Sequence, residues 1–336
     1  MEDNYNKLDI FPLNIDYSQL MDLRIDFAFK HLFTKSDPRL LISLLNAIFA
    51  NKKIDRIIKS LTIENPYLEK KSSEDKLSIL DIRAVLQDGT TILIEIHMYG
   101  LGELKAKTIR SWARVYGEEL FTGDKYAVQQ PTIIIAFTNG KIESIEKNKK
   151  PGEDKFKIHK LCMILDCDDY TIFSDAMELH YIDMKAYARA VNDTGIINIG
   201  DAKETMFAKW LSIITQKEIN DKTIIEDACK DAEEIKMAVS TLAKQSEDKI
   251  IRQAYQRRQD EIYFYMKNMA ERDEFKRIAE QENLRAEKEK QRAETAEAEL
   301  KKEQQRAEKE KQKAEIAEAE IKKLLQELNE LRATKA

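Results

Sequence analysis

The chain reads as an α/β protein: a core with a mixed central sheet, then an all-α extension and a long C-terminal helix. Three observations predict this. Residues 77–98 alternate as two apolar arms around Asp88-Gly89, the signature of a β-hairpin, because glycine accepts positive φ without steric cost. Downstream, a helix-patterned stretch, Glu103 to Phe121, is followed by the continuous apolar run Pro131 to Phe137, which suits a strand buried on both faces. Strand, helix, strand at this spacing is a crossover unit, and it forces a sheet with parallel neighbours. Finally, from about Asp201 only helical patterns remain, with no proline after Pro151 and no glycine beyond Gly200. We divide the chain into a lead (1–20), an α/β domain (21–190), a helical region (191–275) and a charged long helix (276–336).

Each element follows from local chemistry. Phe29 and Phe33 recur at helical spacing with Asp26 and Lys30, predicting a first helix whose phenylalanines face the core one turn apart. Ser36-Asp37-Pro38 starts a second, strongly apolar helix over about 38–50, since proline has no N–H to lose there and Asp or Ser can cap. Residues 54–63 alternate loosely as a strand before Asn65-Pro66. In the crossover helix, Ile109, Trp112, Ala113, Tyr116 and Leu120 form one apolar stripe, with Lys105, Lys107, Arg110 and Arg114 on the same helix. Further strands are expected at 161–165 and 179–184. Asp166, Asp168 and Asp169 read as an acidic turn, and His159 and His180 as isolated histidines in core or strand-pairing roles. In the tail, Arg285-Ala-Glu-Lys-Glu-Lys-Gln-Arg recurs almost unchanged from Arg306, 21 residues or three heptads later. Apolar residues of useful size occupy both core heptad positions only around Ile321–Leu331, so a solvated helix rich in Glu–Lys pairs is expected, with weak coiled-coil pairing concentrated at that end, where the tail either joins two cores in a homo-oligomer or simply projects.

Composition narrows the function classes. Over 336 residues the formal net charge is −5, which argues against a protein that coats nucleic acid, although a local basic face stays open. The three cysteines, Cys162, Cys167 and Cys229, have no zinc spacing with a matching second pair and fit reduced thiols in a cytoplasmic protein. No signal peptide and no membrane span is predicted.

The chemistry gathers at the hairpin. Asp81 and Glu95 are carboxylates set in otherwise apolar arms, and His97 shares a face with Glu95 because strand side chains alternate. A buried charge needs compensation, and a divalent cation supplies it. Asp81 and Glu95 share a face only if the loop has an odd number of residues. A three-residue loop Asp88-Gly89-Thr90 would pair Asp81 with His97 and Arg83 with Glu95. On the crossover helix, Arg110 and Arg114 lie one turn apart and form a basic edge with Lys107, suited to positioning phosphate or to pairing with Glu103 and Glu118. Lys76 before the hairpin is either a phosphate contact or a solvated loop lysine.

This ordered set resembles the recombination-promoting nuclease (Rpn) and putative transposase family of the PD-(D/E)xK nuclease superfamily. The resemblance runs over roughly residues 18–190, on Asp26-Phe27-Ala28-Phe29-Lys30, the helix from Leu40 to Ile48, Lys76 with Ser78-Ile79-Leu80-Asp81, Leu93-Ile94-Glu95-Ile96, Arg110, Trp112, Tyr116, Gly123-Asp124-Lys125-Tyr126, Pro131-Thr132-Ile133-Ile134 and Asp175 to His180. It implies a restriction-endonuclease-like core that hydrolyses DNA in recombination or transposition. By this resemblance Asp81 and Glu95 hold Mg²⁺, with Mn²⁺ an alternative, and Asp26 on the first helix joins the metal shell unless it serves as a cap or salt bridge. Arg110 or a nearby lysine stabilises the charge developing on phosphate. The family has Gln where this chain has His97, which either orients the attacking water or completes the metal shell, or else marks a nuclease fold turned into a nucleic-acid- or protein-binding module.

Overall fold

In a computed structural model, the structure describes residues 15–64, 67–68, 78–79, 82–99, 101–118, 129–142, 157–202 and 204–333. The chain divides into two compact units, residues 1–261 and 262–336.

The first unit is built on a six-stranded mixed sheet. Its strands are β1 (Leu61–Glu64), β4 (Ile82–Leu86), β5 (Thr91–His97), β6 (Thr132–Thr138), β8 (Ile172–Asp183) and β7 (His159–Leu165), in that spatial order. β2 (Tyr67–Leu68) and β3 (Ser78–Ile79) pair separately. β5, β6 and β8 run parallel and the outer pairs are antiparallel. The expected crossover is present: α3 (Leu101–Glu118) links β5 to β6, whose seven residues are all buried.

Helices cover both faces. On one face α3 lies over Leu93, Ile134, Ala136, Leu179 and Tyr181, contributing Leu104 and Val115. The other carries α1 (Asp26–Thr34), α2 (Pro38–Asn51) and α5 (Thr205–Ile214). There Phe29 meets Phe33 at 4.5 Å and Phe137 at 5.5 Å between ring centroids, and Phe33 meets Trp210 at 5.5 Å. Such tilted aromatic pairs add to area burial. Asp37 caps α2 as its sequence predicts, accepting from Arg39 N at 2.9 Å. α4 (Met184–Thr194), α6 (Thr223–Cys229), α7 (Glu233–Glu247) and the first turns of α8 (Lys249–Ala333) complete this unit.

The second unit is the remainder of α8, a continuous helix on which Leu300, Ile316, Ile321 and Leu324 are exposed. No described helix is long and apolar enough to cross a membrane.

Four expectations are corrected. The hairpin loop is odd-numbered, but its residues are Gln87-Asp88-Gly89. Gly89 N donates to Leu86 O at 3.0 Å and Gly89 takes φ +86°, so a turn followed by a left-handed residue closes the loop and puts glycine last. Arg83 therefore pairs with Leu93, not Glu95. Residues 54–60 are not strand: Asn46 holds both backbone groups of Ile58, at 2.8 and 3.0 Å, tying that segment to α2. On α3 the buried stripe is Leu104, Thr108, Ser111 and Val115; Trp112 and Tyr116 flank it half-buried, and Ile109 is 49% exposed. The last strand ends at Asp183, which caps α4 by accepting from Ala186 N at 2.9 Å. The acidic turn is a hairpin loop, where Asp166 accepts from Asp168 N and Asp169 from Thr171 N, each at 2.8 Å.

Candidate active site

Two Glu-x-His pairs lie on the sheet, one on each face, and their surroundings differ. Glu95 and His97 sit near the C-terminal end of β5, on the face covered by α3, because alternation along β5 puts Leu93, Glu95 and His97 together. The neighbour of Glu95 across the parallel ladder is the small residue Ala136.

Glu95 is only 2% exposed. Its Oε2 lies 2.7 Å from His97 Nε2 and 3.6 Å from Lys107 Nζ of α3. Burial pushes the carboxyl's pKa up, but the His97 hydrogen bond and the Lys107 and His97 charges outweigh it, and the net shift is downward. The carboxylate is thus held ionised in a dry position. Its other oxygen, Oε1, is buried and has no hydrogen-bond partner among the described residues. An ionised carboxylate oxygen is costly to leave unmatched, and it is the donor a hard divalent cation requires. The site therefore fits a metal at Glu95. Among the described residues no three His, Cys, Asp or Glu side chains group around a metal position.

The other residues predicted for this site are distributed as follows. Asp81 and Lys76 lie outside the described residues. Asp26 starts α1 on the opposite face, where Arg258 Nε meets its two oxygens at 2.9 and 3.0 Å; it is not brought to Glu95. Lys107 is brought to the site. Arg110, one turn on, is exposed, and half-buried Arg114 pairs with Glu118 at 3.3 Å, so the arginine edge is partly taken up within α3. Tyr181 completes the face, with its hydroxyl 2.6 Å from Thr108 Oγ1 and its pKa raised by burial.

The second pair, Glu178 and His180 on β8, belongs to a buried relay that the sequence reading missed. Asn51 Oδ1 accepts from Glu204 N at 3.2 Å, which turns its amide so that Nδ2 donates to His159 Nδ1 at 3.1 Å. His159 Nε2 is then protonated and donates to His180 Nδ1 at 2.9 Å, and His180 Nε2 donates to Glu178 Oε2 at 3.4 Å. Arg56 closes the chain with bonds of 2.9 and 2.8 Å to the two oxygens of Glu178. The two histidines are therefore partners, not isolated. The signal was present in the period-two spacing of Glu178 and His180, but the contact to His159 depends on the β7–β8 register.

Both histidines are neutral. Burial holds His159 well below its ordinary pKa of 6.5, with the His180 and Lys52 charges acting the same way. Burial likewise lowers His180 more than Glu178 raises it. A group whose folded pKa is depressed gives stability that is fully present above the unfolded value and lost as pH falls below it. Urea stability should therefore fall between pH 7.5 and 5.5, by at most about 1.4 kcal/mol per pH unit for each histidine once below pH 6.5. Half-buried His31 shifts the same way, so the check is made against His159→Gln, whose slope should be shallower. Equal slopes would refute the assignment.

Three hydrogen bonds engage both oxygens of Glu178, in contrast to Glu95, whose Oε1 is unmatched among the described residues. The model of the PD-(D/E)XK nuclease family transposases matches residues 23–269, a span that contains both faces of the sheet. No curated protein and no solved structure matches the chain. With nearly three quarters of its length inside that match, the chain belongs to the PD-(D/E)XK nuclease family transposases.

Proposed function

We propose that the protein is a metal-dependent endonuclease that hydrolyses DNA phosphodiester bonds in recombination or transposition, with Asp81 and Glu95 holding Mg²⁺ or Mn²⁺. The observation that carries this reading is Glu95: buried, ionised, fixed through Oε2 by His97 and Lys107, with Oε1 unmatched. Asp81 precedes Ile82 in the chain, and Ile82 pairs with Ile94, the neighbour of Glu95. When bound, the cation lowers the pKa of a water and polarises the phosphate. The protein's own residues do the rest. Glu95 stays ionised at neutral pH, and His97, by donating Nε2–H to Oε2, fixes the carboxylate's orientation. Exposed Arg110 offers a guanidinium for the DNA backbone.

Supercoiled plasmid incubated with the full chain should be nicked or linearised with Mg²⁺ or Mn²⁺ and left intact when chelator is in excess. Cleavage that persists in chelator would refute metal dependence. A second reading, a binding module descended from a nuclease, is favoured by His97, which stands where the resemblance puts Gln or Lys. Plasmid retained in a gel shift but uncut under every divalent cation would establish that reading instead.

A further inference from the structure

We propose that Lys107, carried by α3, supplies the ammonium group of this active site, in the place that a strand lysine two residues after the acid would occupy. The inference rests on the nuclease reading above. The pattern in the family's name ends with an acid, any residue and a lysine, although the resemblance above puts Gln at that last position. In this chain the corresponding residues are Glu95, Ile96 and His97, so the strand lacks the cation. A lysine at position 97 would share the face of Glu95. That is the face α3 covers, and Lys107 Nζ stands 3.6 Å from Glu95 Oε2, approaching from the helix side.

Geometry separates this lysine from a simple counter-ion. Two other carboxylates of this unit are gripped by arginine at short range, Glu178 by Arg56 at 2.8 and 2.9 Å and Asp26 by Arg258 at 2.9 and 3.0 Å. Lys107 keeps ion-pair distance from Glu95, beyond an ordinary hydrogen bond, and its side chain is 50% exposed. Its ammonium therefore faces Glu95 on one side and solvent on the other, where a phosphate arrives. Lysine suits this task, as a compact charge with three donors on a flexible stem. In hydrolysis the water oxygen bonds to phosphorus while the bond from phosphorus to the leaving sugar oxygen breaks. The water's proton passes to solvent, the leaving oxygen takes a proton from solvent, and Lys107 keeps its protons, stabilising charge on the non-bridging oxygens.

The test uses the full chain on supercoiled plasmid under single-turnover conditions, with Mn²⁺ affinity by electron paramagnetic resonance and plasmid binding by gel shift as separate readouts. Lys107→Ala should slow cleavage about 10²-fold, with Mn²⁺ affinity and plasmid binding changed less than about threefold. Lys107→Arg should recover part of the rate, and His97→Lys in the Lys107→Ala background should recover most of it, because the cation is returned on the strand. Wild-type cleavage with Lys107→Ala unaffected would overturn this proposal alone, as would a slowed Lys107→Ala that neither replacement restores. A wild-type chain that cuts no plasmid under any divalent cation would overturn the nuclease reading and this proposal together.

Discussion

Glu95→Gln is expected to reduce plasmid cleavage by about 10³-fold while leaving the fold intact. The magnitude is that of removing one preorganised electrostatic partner from a dry site, roughly 4 kcal/mol of transition-state stabilisation. Glutamine keeps the volume of the side chain and an oxygen to accept from His97, whose Nε2 lies 2.7 Å from Glu95 Oε2. It removes the negative charge that a divalent cation needs. Lys107, half-exposed, regains water on losing its partner, so no buried charge is stranded. The urea midpoint should therefore shift by less than about 1 kcal/mol in stability. Mn²⁺ binding should weaken in step with the rate. Cleavage at the wild-type rate by a folded Glu95→Gln protein would remove Glu95 from the chemistry.

The contrast between Glu95 and Glu178 shows what the sequence could and could not convey. Alternation alone places Glu95 with His97 and Glu178 with His180, and a charged residue in an apolar strand already marks both as in need of a partner. Which carboxylate is saturated is decided by residues far away in the chain. Arg56 comes from the segment after α2 and His159 from β7, and neither separation carries a pattern. For the same reason Lys107 was legible only as one of several bases on a helix. Its selection over Arg114 follows from which turn of α3 lies over β5, and Arg114 is taken by Glu118 at 3.3 Å.

The fold was legible where a single period dominates. The buried runs of α2 and β6, the crossover through α3 and the helical C-terminal region follow from spacing alone. Errors arose where two geometries satisfy one pattern. Asp88-Gly89 fits several loop lengths, and the requirement for positive φ at Gly89, set as the last loop residue, chooses the one observed. On α3 the small buried residues Thr108 and Ser111, which hydropathy passes over, sit against the sheet, while Ile109 faces outward.

The largest stability effect should come from the face opposite Glu95. Arg56→Ala is expected to destabilise the protein by about 3–5 kcal/mol, because it strands a carboxylate that is buried beneath α2 and bonded to His180. It also removes the guanidinium packed 5.0 Å from the centroid of Phe49. Burial pushes the Glu178 carboxyl's pKa up from 4.5, but the His180 and Arg56 hydrogen bonds and the Arg56 charge outweigh it and hold the group at about 2. A folded pKa depressed in this way contributes stability that is fully present above about pH 4.5 and lost as pH falls toward 2. The gap between wild type and Arg56→Ala in urea should accordingly be widest near neutral pH and narrow as pH falls from 4.5 toward 2. Arg56→Met combined with Glu178→Gln should cost less than Arg56→Ala alone, since no charge is left buried and Gln can still accept from His180. Because Arg56 and Glu178 lie across the sheet from Glu95 and Lys107, that double variant should cut plasmid at close to the wild-type rate below its melting temperature. A folded double variant that has lost cleavage would instead make the histidine relay part of the reaction, and a single variant with wild-type stability would show that the Arg56 bonds contribute nothing net.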